Sequence, residues 1–223
     1  MGMEKITSTA NPQVRQLIQL QKKARLRKEE DVFTVEGIKM YQEVPMDRLV
    51  HSYVSESFFQ RQPELFHGRE KTTTLLSDRV FESVSDTKTP QGVCASFTMP
   101  RRTSLPTGAR RLVALDGVQD PGNLGTIWRT ADAAGFDALL LGAGCADPWS
   151  PKVQRASMGS GFRVPAVSGE MPLLLSRAQA DGFRVVVSAL DGAPLYARTQ
   201  PKSGEKLVLV IGNEARGVSP EVQ

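Results

Sequence analysis

The chain has 223 residues, 40% of them hydrophobic, enough apolar material for one large domain or two smaller ones with real cores. Its net charge of +4 and pI near 9.2 make an acidic partner plausible. Cys94 and Cys145 form no CxxC pair, which argues against a disulfide framework and a cysteine-rich zinc site and for a reducing cytoplasm. No apolar run approaches the ~20 residues of a membrane helix, and the N-terminus "MGMEKITSTANPQ" lacks a signal-peptide core. A soluble protein is expected.

In chain order, "NPQVRQLIQLQKKARLRKEE" places Val14, Leu17 and Ile18 at helical spacing, with Gln21 and Ala24 continuing it. Between Arg15 and Lys28 lie Arg15, Lys22, Lys23, Arg25, Arg27 and Lys28 with no acidic residue among them. Such a run is either a solvated helix face or, displayed on one side, a surface that neutralises phosphates. The short apolar segments "DVFTVEG", "LVHSYVSESFF" and "GVCASFTM", with the helical candidate "SDRVFESVSD", predict a small α/β domain over residues 1–99. His51 and His67 stand apart from any motif there and read as structural. "MPRRTSLPTGARR" has no hydrophobic periodicity, so residues 100–111 read as a linker.

From 112 to 223 strand and helix candidates alternate: "RLVALD", a helix, "DALLLGA", "PKVQRASMG", "RVPAV", "LLLSRAQADG", "FRVVVSAL" and "KLVLVIG". Continuous apolar strands separated by helices predict a parallel sheet covered on both faces. Ligands bind such sheets at the carboxyl ends of strands, here the loops after Asp116, Leu190 and Ile211.

The helix over "DPGNLGTIWRTADAAGF" carries glycines, yet their order fits neither the dinucleotide fingerprint nor a P-loop. Leu124, Ile127, Trp128, Ala131 and Ala134 follow helical spacing, with Asn123 at the N-cap position and Gly135 as the stop. Arg129 falls off this stripe and is either a partner for Asp132 or a functional group. Asp116 and Asp120 read as turn hydrogen-bonders. Trp149, Lys152 and Arg155 could face RNA or belong to packed and solvated surfaces.

"Asn123-Leu-Gly-Thr-Ile-Trp-Arg129-Thr-Ala" resembles the first motif of the SpoU, or TrmH-type, RNA ribose 2'-O-methyltransferases of the SPOUT superfamily. "LVLVIGNEARGVS" at 207–219 resembles the second, and "RASMGSGFRVPAV" is similar to the segment between them. "ITSTANPQVRQL" and "KKARLRKEEDVFTVEGIKM" look like the start of the ribosomal-protein-like RNA-binding domain that often precedes the catalytic one. The resemblance covers nearly the whole chain.

The resemblance implies a mixed α/β chain: a small N-terminal RNA-binding domain, then a parallel-sheet SPOUT domain holding S-adenosylmethionine in a trefoil knot. It implies methylation of a ribose 2'-OH in ribosomal or transfer RNA, without a metal or a membrane, by a homodimer when full length. Asn123, Arg129 and Glu214 match the motif residues assigned to catalysis; Glu214 would orient Arg129 or relay a proton. A guanidinium, with a pKa above ~12, suits orienting a phosphate at least as well as acting as a base. Gly212, Ala189 and Leu190 would meet the cofactor, Gly212 by allowing its close approach. Arg15, Lys22, Lys23 and Arg25 would meet RNA.

The family's third motif, Ser-Leu-Asn, is absent, and "Gly-Val-Ser219-Pro220-Glu221" reads as a helix cut off at its start. The expectation is a domain truncated before the knot is complete, with weak cofactor binding by this piece alone. The main rival is a non-catalytic RNA-binding protein that retains the methyltransferase fold. A Rossmann oxidoreductase is disfavoured by the failed fingerprint.

Overall fold

In a computed structural model that describes residues 3–100, 104–194 and 204–223, the chain divides into two units. They are Met1–Pro100 with Trp149–Arg155, and Arg101–Pro148 with Ala156–Gln223. The first unit runs β1 (Glu4–Ile6), α1 (Pro12–Lys22), α2 (Ala24–Glu30), β2 (Val32–Glu36), α3 (Ile38–Glu43), β3 (Leu49–Ser55), α4 (Glu56–Arg61), β4 (Thr73–Leu76), α5 (Asp78–Val84) and β5 (Val93–Thr98). Its mixed sheet has the order β1-β4-β3-β5-β2, with β5 antiparallel to both neighbours. Val14 and Leu17 of α1 pack with Val80, Phe81 and Val84 of α5 over Ile6, Leu76 and Cys94.

The predicted helical stripe runs on to Gln21, whose Nε2 donates to Cys94 Sγ at 3.7 Å, but does not continue to Ala24. Lys23 adopts an extended conformation (φ −112°, ψ 106°), ending α1 and starting α2 in a new direction. Arg27 holds the break: only 2% exposed, it donates from Nη1 to the carbonyl oxygens of Leu20 at 2.5 Å and Gln21 at 2.9 Å. These are last-turn carbonyls that the helix itself leaves unsatisfied. Arg27 therefore drops out of the displayed basic run, whereas Arg15, Lys22, Lys23, Arg25 and Lys28 are exposed, Arg25 paired with Glu29 at 2.6 Å.

The two isolated histidines have ordinary surroundings: His67 is exposed, and His51 Nε2 shares a 2.8 Å hydrogen bond with Thr74 Oγ1. Burial pushes the His51 imidazole below its ordinary value. Trp149 is packed on Phe33 with ring centroids 4.9 Å apart, and Arg155 pairs with Asp86 at 2.8 Å. Both have partners in the first unit, so neither offers the free RNA-facing group that was one reading of its sequence.

The second unit runs β6 (Arg111–Asp116), α6 (Pro121–Ala133), β7 (Ala138–Leu141), α7 (Pro151–Ser157, which begins in the first unit), α8 (Ser160–Arg163), β8 (Ala166–Ser168), α9 (Met171–Ala180), β9 (Arg184–Val187) and β10 (Leu207–Gly212). All its strand pairs are parallel, in the order β8-β7-β6-β10-β9, as the run of apolar strands predicted. Leu112, Ala114, Leu140, Val208 and Val210 form one core with Met171, Leu175 and Ala178 of α9. Ala109 joins that core and Leu105 packs against it, so the described part of the segment read as a linker is attached to the second unit.

Helix α6 begins earlier than its apolar pattern suggested. Asp120, not Asn123, is the N-cap: its Oδ1 accepts from Asn123 N at 2.9 Å, with Pro121 at the first helical position. Proline has no N–H to leave unsatisfied there, and this moves the cap ahead of it. At the other end Gly135 (φ 70°) closes the helix, with Phe136 N donating to Ala131 O and Gly135 N to Asp132 O. Leu124, Trp128 and Ala131 are buried, Ile127 is half-buried, and Ala134 is exposed at the cap. Trp128 Nε1 donates to Val164 O at 2.8 Å, which makes this tryptophan core.

Arg27→Met keeps the apolar stem and removes the donor to two carbonyls. It should lower unfolding free energy by on the order of 2 kcal/mol in urea titrations. Lys28→Met, at an exposed neighbour, should change it little.

Candidate active site at the switch point of the parallel sheet

Starting from β6, the chain builds β7 and β8 to one side and β9 and β10 to the other. At such a reversal the loops leaving the two central strands diverge and open a crevice at the carboxyl ends. The central strands are β6 and β10, with Ile211 opposite Leu115 and Gly212 opposite Asp116. The loops at 117–120 and 213–217 consequently emerge side by side.

The second loop is a closed turn. Asn213 N donates to Gly217 O at 2.8 Å and Gly217 N to Asn213 O at 2.9 Å, with Gly217 in the left-handed region (φ 70°). Asn213 Oδ1 accepts from Ala215 N and Arg216 N, and its Nδ2 donates to Gly117 O at 2.8 Å, joining the two loops. Glu214 adds the larger link. Its Oε1 accepts from Asp120 N at 3.0 Å and Asn123 Nδ2 at 3.1 Å, and its Oε2 from Gln119 N at 3.2 Å. Beyond the turn, Ser219 N donates to Asp116 Oδ2 at 2.7 Å.

Gly212 is required here for a reason different from the one expected. A Cβ at this position would overlap the Gly217 carbonyl carbon and the Val218 nitrogen, so the chain's own backbone occupies the space that a side chain would need.

Asn123 and Glu214 are brought into direct contact, but Arg129 is not held by them. Arg129 is exposed and makes no hydrogen bond or ion pair among the described residues. Its alternative partner Asp132 is bound to Arg163 at 2.8 Å. Glu214 thus fixes the loop and the first turn of α6 instead of orienting the arginine. Hydrogen bonds from its own N–H, the Asn123 amide and the Asp120 N–H hold its carboxyl down at about 2. An acid that strong is a poor proton acceptor near neutrality, which weighs against a proton relay through Glu214. Burial raises the Cys145 thiol, whose Sγ donates to Leu115 O.

Ala189, Leu190 and Gly212 share one cleft of about 500 Å³ with Asp191, Glu214 and Arg216. Leu190 is fully exposed at its edge. The sequence reading missed Asn213 and Arg216 as parts of this arrangement, and it gave Asp116 a turn hydrogen bond where the carboxylate instead receives Ser219 N. The Gly-Asn-Glu motif marked the position of Asn213, but nothing local in the sequence shows that its amide bridges to Gly117. Among the described residues no group of three His, Cys, Asp or Glu is placed to hold a metal ion, and no helix is long and apolar enough to cross a membrane.

The depressed Glu214 carboxyl sets a pH dependence. Its folded value lies below its ordinary one, so the stabilisation is complete above about 4.5 and is lost as the pH falls towards about 2. In Glu214→Gln this part of the acid dependence should vanish. Urea titrations over that interval should show the stability difference between wild type and variant shrinking as the pH drops; a constant difference would contradict the role of the charge.

Residues 110–223 match the SpoU rRNA Methylase family and residues 11–95 an MRM3-like substrate binding domain. The 23S rRNA (guanosine(2553)-2'-O)-methyltransferase RlmP of Bacillus subtilis is 43% identical over 65% of this chain, and the match spans only 56% of that protein. A tRNA/rRNA methyltransferase of Synechocystis, slr1673, is 33% identical over 97% of this chain and 81% of its own length. Among solved structures, AdoMet-bound rRNA methyltransferase from Sinorhizobium meliloti aligns with a TM-score of 0.84 at 28% identity, covering 99% of this chain and 85% of that one. A TrmH-family protein from Porphyromonas gingivalis aligns at 0.80 and 32% identity, covering 96% of this chain and 85% of that one. With the family match extending over residues 110–223, half of its length, this chain belongs to the SpoU rRNA methylase family.

Proposed function

We propose that the protein transfers the methyl group of S-adenosylmethionine to a ribose 2'-OH of ribosomal RNA. The observation that carries this reading is the Glu214–Asn123 clasp at the strand switch point, with Arg129, which has no partner among the described residues, further along the same α6. RlmP, by its name, performs this reaction on 23S rRNA, and the Sinorhizobium structure holds AdoMet. The cleft suits such a donor: about 500 Å³ lies within the ~300–1,000 Å³ usual for small-molecule sites, and its lining is both apolar and charged.

When bound, the donor supplies an electrophilic methyl carbon, and the protein must align a hydroxyl with it and favour loss of the hydroxyl proton. Asn123 and Glu214 keep the loop after β6 and the start of α6 in one arrangement. Arg129, which has no hydrogen bond or ion pair among the described residues, is available to an RNA phosphate and to the charge that develops on the attacking oxygen. A guanidinium is a poor base and the Glu214 carboxylate is held by the loop, so the proton leaves to water or a phosphate oxygen after the guanidinium has made the hydroxyl more acidic.

We assign RNA binding to the region 1–99, through Arg15, Lys22, Lys23 and Arg25, and chemistry to the region 112–223, with 100–111 between them. The exposure of those four cations supports the first assignment. The return of the chain across Gly212 is compatible with the trefoil path that the family resemblance implies, and the same resemblance is the basis for a homodimer. Two free cysteines fit the cytoplasm.

Arg129→Ala in the full-length protein should lower the rate of rRNA methylation by on the order of 100-fold with unchanged affinity for S-adenosylhomocysteine. Normal methylation by the variant would defeat the role given to Arg129. Replacing Arg15, Lys22 and Lys23 together by glutamate should weaken rRNA binding and flatten its salt dependence, by roughly 0.7–0.9 log units per decade of salt for each phosphate no longer neutralised. Unaltered binding and slope in filter assays would remove this helix face from the interface.

A further inference from the structure

The cleft beside the Glu214 turn contains two opposite charges that the clasp does not use. Arg216 sits on a turn whose backbone is fixed twice, by Arg216 N donating to Asn213 Oδ1 and by the Asn213–Gly217 pair. Its guanidinium is exposed and makes no hydrogen bond or ion pair among the described residues. Three carboxylates at this switch point are already engaged: Glu214 by the loop after β6, Asp120 by the N-terminus of α6, and Asp116 by Ser219 N.

Asp191 lines the same cleft from the loop after β9, where Ser188 N is held by Val210 O and Gly192 N by Ala189 O. Its carboxylate also makes no hydrogen bond or ion pair among the described residues. Leu190, beside it, is an apolar side chain left fully in water. A cation and an anion that share a cleft without pairing, next to bare apolar surface, are complementary to a ligand with both charges at one end and an apolar body.

We propose that Arg216 and Asp191 anchor the amino-acid end of the methyl donor, the guanidinium receiving its carboxylate and the Asp191 carboxylate its ammonium, with Leu190 covered by the body of the ligand. This rests on the methyl-transfer reading above and adds to it the residues that recognise the charged end. Arginine suits the role because its planar fork takes both oxygens of a carboxylate, which lysine cannot match. Neither residue touches the reacting atoms in this assignment; both set the position of the donor along the cleft.

The test compares two ligands in calorimetric titrations of the full-length protein. S-adenosylhomocysteine carries the amino-acid end, and 5'-methylthioadenosine has the same adenosine thioether without it. Arg216→Ala and Asp191→Asn should each weaken S-adenosylhomocysteine roughly tenfold and leave 5'-methylthioadenosine unchanged. Arg216→Lys should fall between wild type and Arg216→Ala. If affinity for both ligands falls equally, the substitutions have disturbed the cleft and the anchor is refuted. If neither changes while the KM for rRNA rises in Arg216→Ala, the arginine serves an RNA phosphate and the proposal is wrong. Failure of the unsubstituted protein to bind either ligand would instead overturn the methyl-transfer reading itself.

Discussion

The site depends on one carboxylate. Glu214 reaches from the turn after β10 to the N–H groups of Gln119 and Asp120 and to the Asn123 amide, more than ninety residues earlier in the chain. Parallel strands pair along their lengths, but nothing in the sheet ladder holds together the loops that leave it. At the switch point these loops diverge, and an ionised acceptor can fix both with a single side chain. Exposure limits what this contributes to global stability. Its larger effect is geometric: the first turn of α6, and with it the base of the helix that carries Arg129, is tied to the turn that carries Arg216.

Much of the second unit was legible because its strands are apolar throughout and its helices are not. "LVLVIG" and "RLVALD" could be identified as strands by composition, and the βα alternation made their sheet parallel, whereas their adjacency at its centre was not readable from it. The first unit was harder. Glu4–Ile6 and Thr73–Leu76 are three- and four-residue strands with little pattern of their own, and they form through their pairing with each other and of β4 with β3. The basic helix illustrates a different limit: composition cannot distinguish a displayed arginine from Arg27, which turns inward to cap the helix before it.

The candidate site was legible by type and not by connection. Asn123 and Glu214 stand out in the sequence and do meet, yet the expected chain of contacts, from Glu214 to Arg129, is replaced by one from Glu214 to backbone. Gly212 stands out too, and the geometry adds a reason the sequence does not show, since Gly217 and Val218 fill the space a side chain would need. Pairwise geometry of this kind depends on where two distant loops end, and local sequence does not encode it. Asp120 displaced Asn123 as the cap because a proline between them changed which residue could lie outside the helix.

The strand order has a consequence for how the protein is made. Among the described strands of the second sheet β10 is the last to leave the ribosome, yet it lies between β6 and β9, which are synthesised before it. Until it arrives, β9 has no partner and β6 has one open edge, because the two are not neighbours in the finished sheet. Pairing of β10 with β6 closes a loop of nearly a hundred residues, the kind of non-local contact that slows folding. The nascent domain therefore spends its synthesis with two unsatisfied strand edges, and the cleft comes into being only in the step that removes them.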